Sequence, residues 1–341
     1  MPGPAVRTTT ILTGALLLLV TGCSSDSGTD KVQTIEAATA AVSPAVSTQP
    51  AGAVIPVGNP VSAAVFDGAT DTVAMLTPDG RRLLILPATA PGTPLPDGAL
   101  RDVSLPGGVA ALGAPRDGTV AVPAGRSVVR VNLATGETAT TPVDGDVQSV
   151  ALLGDGRMAV GTADGVVHEV DANGTESHRA DGLVSVDALG VTGDRLAALD
   201  RRQTSVTEVD LADGNLGLAL RAGEGATNLT TDGFGRILVT DTTGGELLSF
   251  TTDPLMMHQR FPVPNSPFGV AVDEKTGLVW VTVTGTNEVV GFDLSTGIPV
   301  EKHRYPTVRQ PNSVAVDSDT GVVFVASATG EGVQRIDVAG H

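Results

Sequence analysis

The chain is poor in the residues from which most active sites are built. Its 341 residues include one cysteine, Cys23. No intrachain disulfide can form, so stability must come from packing. Aromatic residues make up 3%, with one Trp and one Tyr, too few for a stacked platform that would grip a carbohydrate. Lys and Arg total 21 against 38 Asp and Glu, a net charge of −17. Such a surface repels nucleic acid and anionic head groups. The five histidines, His168, His178, His258, His303 and His341, show no metal-ligand spacing and no H-E-x-x-H. His168 falls on a third strand, and His258 and His303 on outer strands, where solvent exposure is the expectation. No G-x-S-x-G nucleophile turn is present. Neither a metal nor another cofactor is implied. Val54–His341 carries no 3.6-residue apolar period of useful length.

What the chain does contain is repetition. Pro267-Phe268-Gly269-Val270-Ala271-Val272-Asp273 is followed at once by Thr276-Gly277-Leu278-Val279-Trp280-Val281. Pro311-Asn312-Ser313-Val314-Ala315-Val316-Asp317 leads in the same way to Thr320-Gly321-Val322-Val323-Phe324-Val325. A spacing of roughly 40–50 residues built from short apolar runs marks a radial array of small sheets. Seven third strands align on Ile85, Val131, Val170, Val209, Phe250, Phe292 and Ile336, at intervals of 39–46 residues. Seven middle strands precede them, among them Thr119-Val120-Ala121-Val122, Arg236-Ile237-Leu238-Val239 and Leu278-Val279-Trp280-Val281. Gly-containing turns such as Asp117-Gly118 and Thr276-Gly277 join them as hairpins.

The expected fold is all-β, a seven-bladed β-propeller of four-stranded blades. The last unit stops after its third strand, and a bare sheet edge invites aggregation. Ala45–Val57 is β-capable and is expected to complete that blade, so that an N-terminal strand closes the ring. Pro50 and Pro56 are tolerable on an outer edge. WD repeats are excluded, because no blade carries a recurring Trp-Asp.

Residues 1–22 read as an address rather than as fold. Arg7 supplies the positive start, and Ile11–Val20 is an apolar core too short to span a membrane. Val20-Thr21-Gly22-Cys23 resembles the bacterial lipobox, which implies cleavage before Cys23 and acylation of that residue, palmitate included. Two or more acyl chains hold a protein stably at a membrane. Residues 23–45 are Ser/Thr/Ala/Asp-rich and read as a flexible tether, Lys31–Val42 having too little apolar face to dock. Residues 46–341 form the propeller. Removing residues 1–22, whose one charged side chain is Arg7, takes the net charge from −17 to −18. Solubility and Asp-rich turns account for that charge.

Asp317-Ser318-Asp319-Thr320-Gly321 hints at a calcium loop, but no bidentate acid completes it, and a β-turn is expected. The informative surface is the face that gathers the loops entering the inner strands and those joining second to third strands. It is expected to present a polar rim. The candidate ligand-binding residues are Asn59, Gln148, Arg201, Arg202, Asn228, Asp241, Asn287 and Asn312. The pair Arg201-Arg202 suits a carboxylate or phosphate.

The Pro-Asn-Ser-Val-Ala-Val-Asp segment and Val290-Gly291-Phe292-Asp293-Leu294-Ser295-Thr296-Gly297 resemble YncE-like and NHL-type bacterial propellers. The resemblance is strong over 222–338 and weaker but in register over 57–215. It implies a six- or seven-bladed ring, used by most members for binding or scaffolding. Related lactonase and streptogramin-lyase propellers are enzymes. Lactonases set Glu, Asn and Asp on a metal in the channel, and Glu is nearly absent from the channel mouth expected here, so no catalytic residue carries over. The expected protein is a monomeric, lipid-anchored module on the extracytoplasmic face of the cell membrane. It would bind a protein, peptide, small molecule or other envelope component, and no nucleic acid. The alternative is a propeller hydrolase or lyase working at the channel mouth.

Overall fold

The computed structural model describes Met1, Gly3 and residues 33–88, 98–109 and 111–338. Cys23 and almost all of the leader at 1–22 lie outside the described residues. Contacts divide the chain into Met1–Gln33 and Thr34–His341, and the ring lies wholly in the second unit. Among the described residues, no helix is long and apolar enough to cross a membrane. The one helical element there is a 3-10 turn, Gly154–Gly156.

The second unit is a seven-bladed β-propeller. Blade 1 holds the strands Ala63–Asp67, Thr72–Leu76, Arg82–Pro87 and Arg101–Ser104. Blades 3 to 6 begin at Val147, Ala188, Ala226 and Pro267, and each is an antiparallel four-stranded meander. Blade 7 holds Pro311–Asp317, Val322–Ser327 and Val333–Asp337, and its fourth, outer strand is Ala53–Ile55 from the other end of the unit. Ala53 pairs with Arg335 and Ile55 with Val333. The expected N-terminal closure is therefore present, in a strand shorter than Ala45–Val57. Gln334 fastens it. Its buried amide donates to Ala51 O at 2.7 Å and to Pro306 O at 2.9 Å, and accepts from Val308 N at 3.0 Å.

Blade 2 has three regular strands, Thr119–Pro123, Ser127–Asn132 and Thr138–Pro142. Its inner place is held by an irregular stretch tied through Gly113 N to Ala121 O (3.0 Å) and by the bridge between Arg116 and Thr119. Pro106, Gly107, Gly108, Gly113 and Pro115 crowd this stretch, and such a composition weakens a ladder.

Each blade is buried on both faces, which explains middle strands of unbroken apolar residues. Seven apolar clusters fill the seven seams between blades. Alternate residues of one strand serve two seams: Ile237 and Val239 pack with Ala197 and Leu199 of blade 4, whereas Leu238 packs with Val279 and Val281 of blade 6. The same logic corrects the alignment of the first unit by one residue. Val73 pairs with Leu86 as Ile237 pairs with Phe250, and Leu86 faces the preceding blade while Ile85 faces the following one.

The turns on the face opposite the rim are closed by the recurring acids. Asp317 Oδ1 accepts from Asp319 N (3.0 Å) and Thr320 N (3.3 Å), the β-turn expected from the sequence. Asp171 accepts from Asn173 N and Thr175 N, both at 2.8 Å. Asp232 accepts from Phe234 N and Arg236 N, and Asp293 from Ser295 N. Each carboxylate satisfies amides that the turn would otherwise leave unpaired. Two histidines depart from the expected exposure. His168 is 3% exposed and its Nδ1 lies 2.7 Å from Glu176. His303 stacks on Trp280, with ring centres 5.6 Å apart.

Candidate functional site

Residues 34–45, assigned to a tether from composition, lie in extended form along the rim of blades 4 to 7. Helical structure is absent there. This strap is held almost wholly by its main chain. Ile35 N donates to Arg202 O at 2.8 Å. Arg201 Nη2 donates to Ala38 O. Ala41 N donates to Ser266 Oγ at 3.0 Å. Pro44 O accepts from Asn287 Nδ2 at 3.0 Å, and Ser43 O from Arg309 Nε at 3.4 Å. Gly225 lets the strap approach, since a β-carbon there would sit 2.9 Å from Ala38 Cβ.

Gln310 is the centre of the arrangement. Its Nε2 donates to Ala41 O at 2.9 Å and its Oε1 accepts from Ser43 N at 2.9 Å. A primary amide offers a donor and an acceptor side by side, so one side chain reads residues i and i+2 of an extended chain as a neighbouring strand would. Asn312 Oδ1 orients that amide, accepting from Gln310 Nε2 at 3.0 Å. The Gln310 backbone has φ of 53°, an uncommon conformation for a residue with a side chain. Among the described residues, Ser43 supplies the one side-chain hydrogen-bonding group of the strap that engages the rim. It is 2% exposed, its Oγ donates to Thr284 O at 2.6 Å, and it accepts from Gln310 N at 3.1 Å.

Arg201 sits beneath the strap with no carboxylate in ion-pair contact among the described residues, and burial pushes its guanidinium pKa down against the opposing pull of Asp187. The structure thus brings Arg201, Arg202, Asn287 and Asn312 together, Arg202 through its carbonyl alone. The other four candidates are placed differently. Asp241 is fully buried and closes a loop, its Oδ2 accepting from Glu224 N at 2.8 Å and its Oδ1 from Gly225 N at 2.8 Å and Gly244 N at 2.9 Å. Asn228 Nδ2 bonds Phe268 O at 3.0 Å, tying blade 5 to blade 6. Asn59 caps its own loop on Val57 O at 3.3 Å. Gln148 reaches Asp146 at 3.4 Å, away from the strap.

Gln310, Ser43 and Arg309 were absent from the sequence reading. One signal was available: Gln310 and Ser266 hold the same place in adjacent repeats, just before Pro311 and Pro267, and both touch Ala41. Among the described residues, no group of three or more His, Cys, Asp or Glu side chains converges as a metal-holding set.

No protein-family model matches the chain, and no curated protein matches it in sequence. Solved structures match in fold. The streptogramin B lyase structure superposes with a TM-score of 0.66 at 13% identity, over 84% of this chain and 96% of that one. Hydrazine synthase of Kuenenia stuttgartiensis gives a TM-score of 0.66 at 15% identity, over 86% of this chain and 98% of that one. The β-propeller domain of Cps50 (Swd1) of Myceliophteria thermophila gives a TM-score of 0.66 at 14% identity, over 84% of this chain and 99% of that one. Likeness at this level defines a fold class, the β-propeller, and fold alone carries no activity.

Proposed function

We propose that the protein is a binding module of YncE-like or NHL type, held at the extracytoplasmic face of the membrane by acylation of Cys23. Its rim over blades 4 to 7 captures an envelope component. The observation that supports this reading is the rim itself, where Arg201, Ser266, Asn287 and Gln310 already hold an extended stretch of chain by its main-chain groups. Amides, one hydroxyl and a guanidinium with no ion-pair contact among the described residues make a surface suited to recognition. In the intact protein, a photo-crosslinker at position 202 is expected to trap a discrete partner from the envelope, and Arg201→Ala with Gln310→Ala to reduce that product at least tenfold. An undiminished product would remove the rim from the reading. Labelled palmitate is expected to enter the wild type and not Cys23→Ser; equal labelling would overturn the anchor.

A further inference from the structure

The strap shows what kind of molecule its seat accepts. Seven of its contacts run through main-chain groups: Ile35 N, Ala38 O, Ala41 N and O, Ser43 N and O, and Pro44 O. Main-chain recognition tolerates varied side chains, as when an extended peptide is added along a sheet edge. Among the described residues, the one side-chain exception is the socket around Ser43, where the Thr284 carbonyl and the Gln310 backbone N–H fix a hydroxyl that both donates and accepts. The residue before it points away, Val42 being 85% exposed. The residue after it is a proline. Proline holds Ser43 in the extended region and brings no N–H that would need a partner.

The strap is also weakly bound by the usual driving force. Its largest apolar side chains, Ile35 and Val42, are 38% and 85% exposed. Little apolar surface leaves water, and the ordering of a dozen residues opposes the hydrogen bonds. An occupant held in this way can be exchanged.

We propose that the seat on blades 4 to 7 is a receptor for an extended polypeptide segment of another protein, with Ser or Thr followed by Pro in the Ser43 socket. Residues 34–45 fill the seat in cis and compete with that segment. The inference rests on the rim being a recognition surface and adds the class of ligand.

The probe is a fluorescein-labelled synthetic peptide with the sequence of residues 34–45, read by anisotropy. Two variants of the full chain free the seat. Ser43→Glu places a charge in a socket lined by a carbonyl, and deletion of residues 34–45 removes the strap while leaving Ala53–Ile55 in place. Each variant that keeps the wild-type circular dichroism is expected to bind the peptide at least tenfold more tightly than the wild type. Ser43→Val in the peptide is expected to weaken binding tenfold or more, and Gln310→Ala in the receptor to abolish it. Amide exchange supplies a readout that needs neither variant: saturating peptide added to the wild type is expected to speed exchange at Ser43 of the chain's own strap at least tenfold. Peptide binding no tighter to the freed seat than to the wild type, binding indifferent to the hydroxyl, or unchanged exchange at Ser43 would overturn the proposal. If the peptide fails while the crosslinked envelope product still depends on Arg201 and Gln310, the recognition surface stands and its ligand is not a polypeptide. If both fail, the strap serves only to hold the ring.

Discussion

The two faces of the ring use the same strained backbone for different ends. Among the described residues on the face opposite the rim, those with side chains at positive φ are Asp71, Asp117, Asp155 and Asp253. They sit in short turns, in a propeller whose other acids close turns on neighbouring amides. On the rim, the corresponding residues are Thr204, Asn265, Ser266, Asn287 and Gln310. Three of these five aim their polar side chains at the strap. Asp tolerates the left-handed region because a short side chain can bond locally. A Gln has no such excuse, so its strain must be offset by what its amide holds. One face satisfies itself, and the other satisfies a passing chain as well.

The difference can be broken from the strong end downward. Asp241→Ala removes the acceptor of three backbone amides, of which that of Gly225 is buried, and is expected to cost about 3 kcal/mol, read by urea unfolding. Asp317→Ala on the opposite face frees two amides at the edge of solvent and is expected to cost about 1–2 kcal/mol in the same assay. Equal costs would show that the two faces are not built differently. Ser43→Ala is expected to change global stability by less than about 1 kcal/mol, while amide exchange across Ala41–Ser43 accelerates at least tenfold. A large global loss would make the strap a structural clamp.

Acidity sharpens the contrast further. Hydrogen bonds lower the pKa of Asp171, chiefly from Thr175 N, and that of Asp293, chiefly from Ser295. A lowered folded pKa gives stability that is present above the ordinary carboxylate value of 3.8 and lost as pH falls through the folded value. Glu274 has the opposite sign, since burial raises its pKa above 4.5. Its ionisation therefore costs stability once pH rises through that range. Glu274→Gln, which keeps an acceptor for Gly233 N at 2.9 Å, is expected to raise the melting temperature slightly at pH 7 and not at pH 3.5. A uniform change at both pH values would show that Glu274 acts through packing alone.

The ring was legible in the sequence because its period is written in turn residues. Asp and Gly recur wherever a hairpin must reverse, and the seven third strands follow from them. The one slip, Ile85 for Leu86, arose in Leu83-Leu84-Ile85-Leu86, where both sheet faces are buried and no polar residue marks the register. Arg201 and Asn287 could be found as polar residues on second-to-third-strand loops. Asp241, on such a loop, and Asn228, at the entry to an inner strand, looked equally suitable as polar rim residues, yet they bond their own ring, and only the three-dimensional arrangement separates the two uses. The strap was invisible for a deeper reason. Ala, Ser and Thr signal no apolar face, and a segment held by its peptide groups leaves no trace in its side chains.

The pairing of Ala53 with Arg335 has a consequence for the order of assembly. These partners lie 282 positions apart, and contacts of such long range carry a large loop-closure cost. Blades 1 to 6 can each pair within themselves, but blade 7 lacks its outermost member until the first and last parts of the ring meet. An intermediate halted before that meeting would present the unpaired side of Val333–Asp337, the kind of edge on which a second molecule can template itself. Circularisation thus removes the last open edge of the ring.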